Sequence, residues 1–301
     1  MKRAIITGAT GAIGTALINE LIKVGVEVLI FCRKDSKRVN LLPNHPLVTI
    51  KYCALDGLEK VENDTGKTYD TFYHFAWDGT FGADRNDMYR QNLNVKYSLD
   101  AVAAAKRFGC KRFIGAGSQA EYGRSDNKLS ATTPAFPENG YGIAKLCAGQ
   151  LTRLTAAQLE IKHIWVRILS VYGPHDGANT MVSSSIQKFK NGQAAQFTKG
   201  EQLWDYLYSG DAAKAFALLG DKGKDGKVYV LGSGNERPLK DYINDIAAVV
   251  NPQAEIKFGA VPYSDKQVMR LCADISELTK DTGWRPETEF KQGIKNILNT
   301  L

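Results

Sequence analysis

Short apolar runs alternate with longer stretches of helical spacing through the N-terminal half of the chain. Arg3–Thr7 reads as a buried first strand. It is followed by a helix over Ala12–Val24, where Ile13, Leu17, Leu21 and Val24 recur at near-helical intervals. Val26–Cys32, Leu47–Cys53 and Thr71–Trp77 read as the next three strands. A long helix is expected over Asn86–Phe108, with Leu93, Tyr97, Leu99 and Val102 on its apolar face. A strand at Lys111–Gly117, a helix at Asn139–Leu159 and a strand at His163–Ser170 complete the series. Strands alternating with helices predict an α/β fold built on a parallel sheet.

After Gly173-Pro174 the pattern loosens. Helices are expected over Asn179–Lys190, Ser209–Leu219, Leu239–Val250 and Phe290–Leu301, with short strands near Gln196, Leu207, Val228 and Ile256. This divides the chain into a dinucleotide-type domain over residues 1–173 and a smaller α/β substrate lobe over residues 174–301. Part of the second stretch is free to return to the first domain. Neither repeats nor low-complexity segments interrupt the pattern.

Composition narrows the class. A hydrophobic fraction of 44% and a charged fraction of 24% are those of an ordinary water-soluble domain. The longest apolar runs are too short to cross a bilayer, and Ala4–Gly14 lacks the apolar core of a signal peptide. Five scattered cysteines without a Cys-x-x-Cys pair suggest reduced thiols in a cytoplasmic protein and no metal site. The net charge of +7 comes from lysines and arginines spread along the chain rather than gathered in a tract. That spread argues against nucleic acid. It suits a pocket for polyanionic small molecules as well as it suits a solvated basic surface.

The chemistry begins at Gly8-Ala-Thr-Gly11-Ala-Ile-Gly14, between the first strand and the first helix. Glycines at these positions turn the chain tightly, let the backbone approach a pyrophosphate, and let the helix pack close to the strand. The free amides at the helix start favour the anionic pyrophosphate. With the parallel-sheet pattern, the turn predicts a Rossmann-type doubly wound domain. At the end of the second strand an acidic residue would accept from the adenosine ribose and repel a 2′-phosphate. This chain has Arg33 and Lys34 there, with Lys37 and Arg38 close behind. Arg33 is suited to a bidentate pair with a 2′-phosphate, so the expected cofactor is NADP(H), with NAD as the alternative.

Tyr141 and Lys145 stand four residues apart on one predicted helix face. A free tyrosine titrates near ~10, too high for easy proton exchange at neutral pH. A nearby ammonium lowers that value by stabilising the phenolate, which makes the tyrosine a usable acid or base. Ser118, at the end of the fifth strand, stands ready to hydrogen-bond a reacting carbonyl or hydroxyl oxygen.

These motifs together resemble the extended short-chain dehydrogenase/reductases of the NAD-dependent epimerase/dehydratase family. The resemblance rests on Gly8–Gly14, His74-Phe-Ala-Trp77, Asn94-Val95, Gly117-Ser118 and Tyr141-x-x-x-Lys145. Val171-Tyr-Gly-Pro174, Ala273-Asp274 and Gly283-Trp-Arg-Pro286 extend it over nearly the whole chain. It implies that Tyr141 is the proton donor or acceptor, Lys145 its tuner and a ribose ligand, and Ser118 the orienting hydroxyl. Cofactor contacts are then expected from Gly8, Thr10, Gly11, Ala12, Ile13, Gly14, Arg33, Lys34, Ala76, Asn94 and Lys145. Asp56 is a candidate partner for the adenine amino group, and Asn94 supports either the helix geometry or a proton-relay water.

The family includes epimerases, dehydratases and keto reductases of nucleoside-diphosphate sugars. Its dehydratases carry an Asp-Glu pair beside the catalytic hydroxyl; here Gln119 and Ala120 follow Ser118, and Glu121 is displaced by one position. The family's epimerases place an Asn before Val-Tyr-Gly-Pro and an Arg before Asp-Tyr to hold the diphosphate, where this chain has Ser170 and Trp204. The stretches Val171–Asn179 and Gly200–Tyr206 look most like the reductases that form abequose- or paratose-type CDP-sugars. The expected activity is therefore NADP(H)-dependent reduction of a 4-keto-6-deoxy nucleoside-diphosphate sugar, with Trp77, Asp78, Gln119, Thr180, Met181 and Trp204 in the sugar pocket. The alternatives are a 4-epimerase retaining NAD, a reductase of a small non-nucleotide carbonyl compound, and a non-catalytic dinucleotide sensor. By the same resemblance the chain is expected to form a homodimer through its two long helices.

Overall fold

The computed structural model describes residues 1–301. The chain begins β1 (Arg3–Thr7), α1 (Ala12–Lys23), β2 (Glu27–Cys32), β3 (Val48–Tyr52) and β4 (Thr71–His74). A 3₁₀ turn over Gly82–Asn86 leads into α2 (Met88–Arg107), then β5 (Arg112–Ser118), a 3₁₀ turn over Gln119–Glu121, α3 (Gly140–Gln158), β6 (Lys162–Ile168) and β7 (Ser170–Tyr172). The second stretch runs α4 (Met181–Lys190), β8 (Ala195–Gln196), β9 (Leu203–Trp204), β10 (Tyr206–Tyr208), α5 (Ser209–Lys222) and β11 (Val228–Leu231). It ends with β12 (Arg237–Pro238), α6 (Leu239–Val250), β13 (Ile256–Lys257), β14 (Arg270–Leu271), α7 (Ser276–Thr282) and α8 (Phe290–Leu298).

Seven strands form one parallel sheet in the order β11-β6-β5-β4-β1-β2-β3. This is the doubly wound order with a seventh strand added, and its crevice lies beyond the C-terminal ends of the central strands. Alternation within each strand distributes the core between the two faces. Ile6, Ile30 and Ile114 pack with Leu17, Leu21, Phe216 and Leu219 of α1 and α5 on one side. Their neighbours Ile5, Leu29 and Phe113 pack with Ala101, Val102 and Ala105 of α2, and with Phe108 just after it, on the other.

The seventh strand, β11, and the helix α5 both come from beyond residue 174. The chain therefore leaves the sheet layer after β6 and returns to it over residues 209–231. The remaining lobe has its own core, where Val182, Ile186 and Phe189 of α4 meet Ile243 and Ile246 of α6 and Ile294 and Ile297 of α8. The amphipathic spacing of each helix accounts for that triangle. A three-stranded sheet, β12-β9-β14, and the helix α7 have no counterpart in the sequence expectations. Two-residue strands carry too little periodicity to be read.

Trp165 on β6 sets the gap between β5 and α3. Its indole lies where a Cβ on Gly115, Gly117 or Gly149 would collide, and no larger residue fits at any of the three. The ring is buried, and its Nε1 donates to Glu121 Oε1 at 3.0 Å.

Candidate active site

The three glycines of the turn sit in different surroundings. Gly8 has φ +71°, and a Cβ there would strike the Phe75–Ala76 backbone at the end of β4. At Gly14 a Cβ would strike the carbonyl of Gly8 within the turn itself. Gly11 differs: an added Cβ would meet only Gly8 O, at 3.6 Å, so its outer side is open. No side chain caps α1 and no acidic residue occupies its first turn. The amides of Ala12, Ile13 and Gly14 are thus left as an anion-binding end beside Thr10. The residues present fit a dinucleotide pyrophosphate.

At the end of β2, Arg33 and Lys34 are exposed and neither pairs with a carboxylate. Arg38 turns away and donates to the carbonyl of His175, joining this end of the sheet to the loop after β7. Asp56 is exposed in the 3₁₀ turn after β3. The Ala76 N–H donates to Thr7 Oγ1 at 3.3 Å. Thr7 Oγ1 also bonds His74 Nδ1 at 2.8 Å, and burial, reinforced by Lys145, depresses the His74 pKa to about 3.

Asn94 is buried on α2 with its amide fully engaged. Its Nδ2 donates to Asp78 O at 2.8 Å and Arg90 O at 3.1 Å, while its Oδ1 accepts from the Asp78 N–H at 2.9 Å. It pins the loop after β4 to α2. The Asp78 carboxylate is exposed and faces Arg90 at 3.4 Å.

Ser118 ends β5 and Tyr141 begins α3, which Asn139 caps by accepting from the Gly142 N–H at 2.8 Å. Ser118 Oγ accepts from the Ala120 N–H at 3.2 Å, so its own proton is left to donate. Burial raises the Tyr141 pKa; the Ser118 hydroxyl and the Arg85 guanidinium act to lower it, and Glu121 to raise it. Arg85 lies over the Tyr141 ring, 4.5 Å from its centroid.

Lys145 is not the nearest cation to Tyr141. It is buried, donates to Ala116 O at 2.7 Å and lies 3.7 Å from the Trp77 ring centroid, but 5.8 Å from that of Tyr141. Burial depresses its pKa to about 7, with Glu121 opposing the shift. Trp77 stands edge-on to Tyr141, with centroids 6.0 Å apart, and donates through Nε1 to Gln91 Oε1 at 2.9 Å. The structure therefore gathers Ser118, Tyr141, Lys145, Trp77 and Arg85 at one end of the sheet. Gln119 is half-buried in the adjoining turn.

Glu121 points away from this group. Fully buried, it accepts from the Ser118 N–H at 2.8 Å, Trp165 Nε1 at 3.0 Å and Arg167 Nε at 2.7 Å. Thr180 caps α4, accepting from the Ser183 N–H at 3.3 Å and donating to Asp176 Oδ2 at 2.9 Å. Met181 packs against the core of the second lobe. Trp204 donates to Ser170 Oγ at 2.8 Å. Beside it, buried Asp205 accepts from the amides of Ser233, Gly234 and Ala273 and ties three loops together. Burial raises its pKa against those bonds. Neither Asp205 nor Arg85 stood out beforehand; Trp204-Asp-Tyr206 marked the first, whereas no periodic signal marks the loop that carries the second.

A glycine turn at an uncapped helix start, joined to a serine–tyrosine–lysine group across a doubly wound sheet, defines a dinucleotide-dependent enzyme. The NAD dependent epimerase/dehydratase family matches residues 4–232, and the chain belongs to it. It is 28% identical over 320 residues to the trifunctional UDP-glucose 4,6-dehydratase/UDP-4-keto-6-deoxy-D-glucose 3,5-epimerase/UDP-4-keto-L-rhamnose-reductase of Arabidopsis thaliana. That match covers 99% of this chain, which spans about half of the plant protein's length (46%). CDP-abequose synthase of Salmonella typhimurium is 24% identical over 306 residues, covering 99% of this chain and 97% of the other. Among solved structures, UDP-N-acetylglucosamine 4-epimerase from Methanobrevibacter ruminantium M1, in complex with UDP-N-acetylmuramic acid, superposes with a TM-score of 0.88. That alignment is 23% identical over 100% of this chain and 99% of that one, a likeness of fold. No helix of the chain is long and apolar enough to cross a membrane.

Proposed function

We propose that the protein is an NADP(H)-dependent reductase of a 4-keto-6-deoxy nucleoside-diphosphate sugar. The observation that carries this reading is the cationic end of β2, where Arg33 and Lys34 are exposed and unpaired. A 2′-phosphate is the group such a pair recognises. Gly8, Thr10, Gly11, Ala12, Ile13 and Gly14 hold the pyrophosphate, and Ala76 and Lys145 the nicotinamide side. Bound NADPH supplies the hydride.

The chain's own residues supply the proton. Ser118 donates its hydroxyl to the substrate carbonyl and orients it. Tyr141, kept protonated by burial, gives its proton to the same oxygen and is left as phenolate. Glu121 is sequestered by Arg167 and Trp165, and Gln119 and Ala120 offer no carboxylate, so the residues for removing water across the sugar are missing. Trp77 and Gln119 face the sugar. The capping role of Thr180 and the packing of Met181 leave both a lesser part in recognition.

The outer faces of α2 and α3 expose Leu93, Ile143, Leu154 and Tyr89, the last at 88%. An apolar stripe on two adjacent helices suits a homodimer.

The test is turnover with a panel of 4-keto-6-deoxy sugars on CDP, UDP, GDP and dTDP. NADPH consumption with one of them, lost at least a hundredfold in Tyr141→Phe while NADPH still binds, is expected. Release of tightly held NAD from the purified protein would favour the epimerase instead.

A further inference from the structure

Arg85 occupies a position that neither the glycine turn nor the tyrosine–lysine spacing explains. The 3₁₀ turn that carries it is fastened on both sides. Asp84 pairs with Arg90 at 2.8 Å and its carbonyl accepts from Gln91 Nε2 at 2.9 Å. Asn86 Oδ1 accepts from the N–H of Gly140, the residue before Tyr141, at 3.0 Å. The segment is thereby tied directly to the start of the tyrosine-bearing helix. Arg85 itself has no carboxylate within ion-pair distance, so its charge is not neutralised locally, and its guanidinium rests on the Tyr141 ring.

Few charged groups face Tyr141. Lys145, on its own helix, is drawn onto the Trp77 ring and Ala116 O. Glu121, from the turn after β5, raises the phenol pKa, and the uncharged Ser118 hydroxyl opposes it. Arg85 is the cation that lies nearest the ring. A cation over an aromatic face is attracted to the neutral ring, and more strongly to the phenolate.

We propose that Arg85 is a further positioning residue that, alongside Lys145, eases proton loss from Tyr141 by holding its guanidinium on the face of the ring that becomes negatively charged. The inference rests on the reading of Tyr141 as proton donor. During reduction the hydride from NADPH reaches the carbonyl carbon, the Tyr141 proton reaches the carbonyl oxygen, and Arg85 stabilises the phenolate until solvent reprotonates it.

The test titrates Tyr141 directly by NMR of protein labelled with 13C at the tyrosine ζ-carbon, its resonance assigned by loss in Tyr141→Phe. Arg85→Gln is expected to lower the ionised fraction at a given alkaline pH by roughly tenfold, the effect of losing one adjacent charge. Arg85→Lys should recover most of that loss. An unchanged titration in Arg85→Gln overturns the proposal. So does a failure of Arg85→Lys to recover the loss. A tyrosine that stays protonated throughout in both wild type and Arg85→Gln counts against it as well. The readout requires no substrate: turnover surviving in Tyr141→Phe would refute the functional reading while leaving the titration result standing.

Discussion

Trp204 and Ser170 are hydrogen-bonded to each other, Nε1 to Oγ at 2.8 Å. These are the two positions at which the family resemblance implies an arginine and an asparagine on the substrate diphosphate. Both have changed, and the replacements satisfy one another across β9 and β7. Ser170→Ala would strand a half-buried indole N–H. It is expected to cost about 1–2 kcal/mol, whereas Trp204→Phe with Ser170→Ala should cost less than the sum of the single changes. A double-mutant cycle in urea giving a coupling of about 1 kcal/mol is the expected result; strict additivity would show that the contact carries no energy.

Arg33→Asp reverses the charge at the end of β2. NADPH affinity should fall roughly ten- to a hundredfold, the loss of one hydrogen bond to a charged group, while NADH affinity holds or improves. Fluorescence titration of both nucleotides measures this. An unchanged ratio would remove the NADP(H) assignment.

The buried Glu121–Arg167 pair is fully enclosed, and each member depends on the other. Arg167 also lies over the Tyr122 ring, 4.5 Å from its centroid. Glu121→Ala leaves an uncompensated guanidinium and should destabilise the fold by about 3–5 kcal/mol. Glu121→Leu combined with Arg167→Met is expected to lose far less. Chemical denaturation of the three proteins decides it, and equal losses in all would contradict the pairing.

Two buried histidines make stability fall in mild acid. His74 bonds Thr7, and His163 Nε2 bonds Thr152 Oγ1 at 3.0 Å; burial depresses their pKa values to about 3 and about 4 from an ordinary 6.5. Above that ordinary value both folded and unfolded chains hold neutral imidazoles, and the contribution is complete. As pH drops below it, the unfolded chain takes up protons that the folded chain refuses. Stability then declines by up to about 1.4 kcal/mol per histidine per pH unit, until the folded values are reached. Urea midpoints at about pH 7.5 and about pH 5.5 should differ accordingly. His163→Gln should remove one of the two contributions to that difference.

The sheet was legible because its strands are buried on both faces: Ala4–Ile6, Val28–Phe31 and Phe113–Ile114 announce themselves as apolar runs. The glycine turn was legible because Gly8 and Gly14 answer steric demands that no larger residue meets. Tyr141 and Lys145 were correctly placed on one helix face, but spacing along a helix does not say where a long side chain ends. The ammonium of Lys145 goes to Trp77, at the end of a different strand, and that contact exists only after folding. Arg85 was hidden for the same reason. Thr180 and Met181 stand at a helix start, where the sequence did not show that Thr180 would serve as the cap.

The indole of Trp165 works as a spacer gauge between the strand that ends in Ser118 and the helix that begins with Tyr141. Three glycines on those two elements are shaped around it. The separation of the Ser118 and Tyr141 side chains is therefore machined into the scaffold behind them. Residues in front of that scaffold are free to drift without disturbing it. The tryptophan and its glycines are able to change only as a set, so that part of the enzyme should be the slowest to evolve.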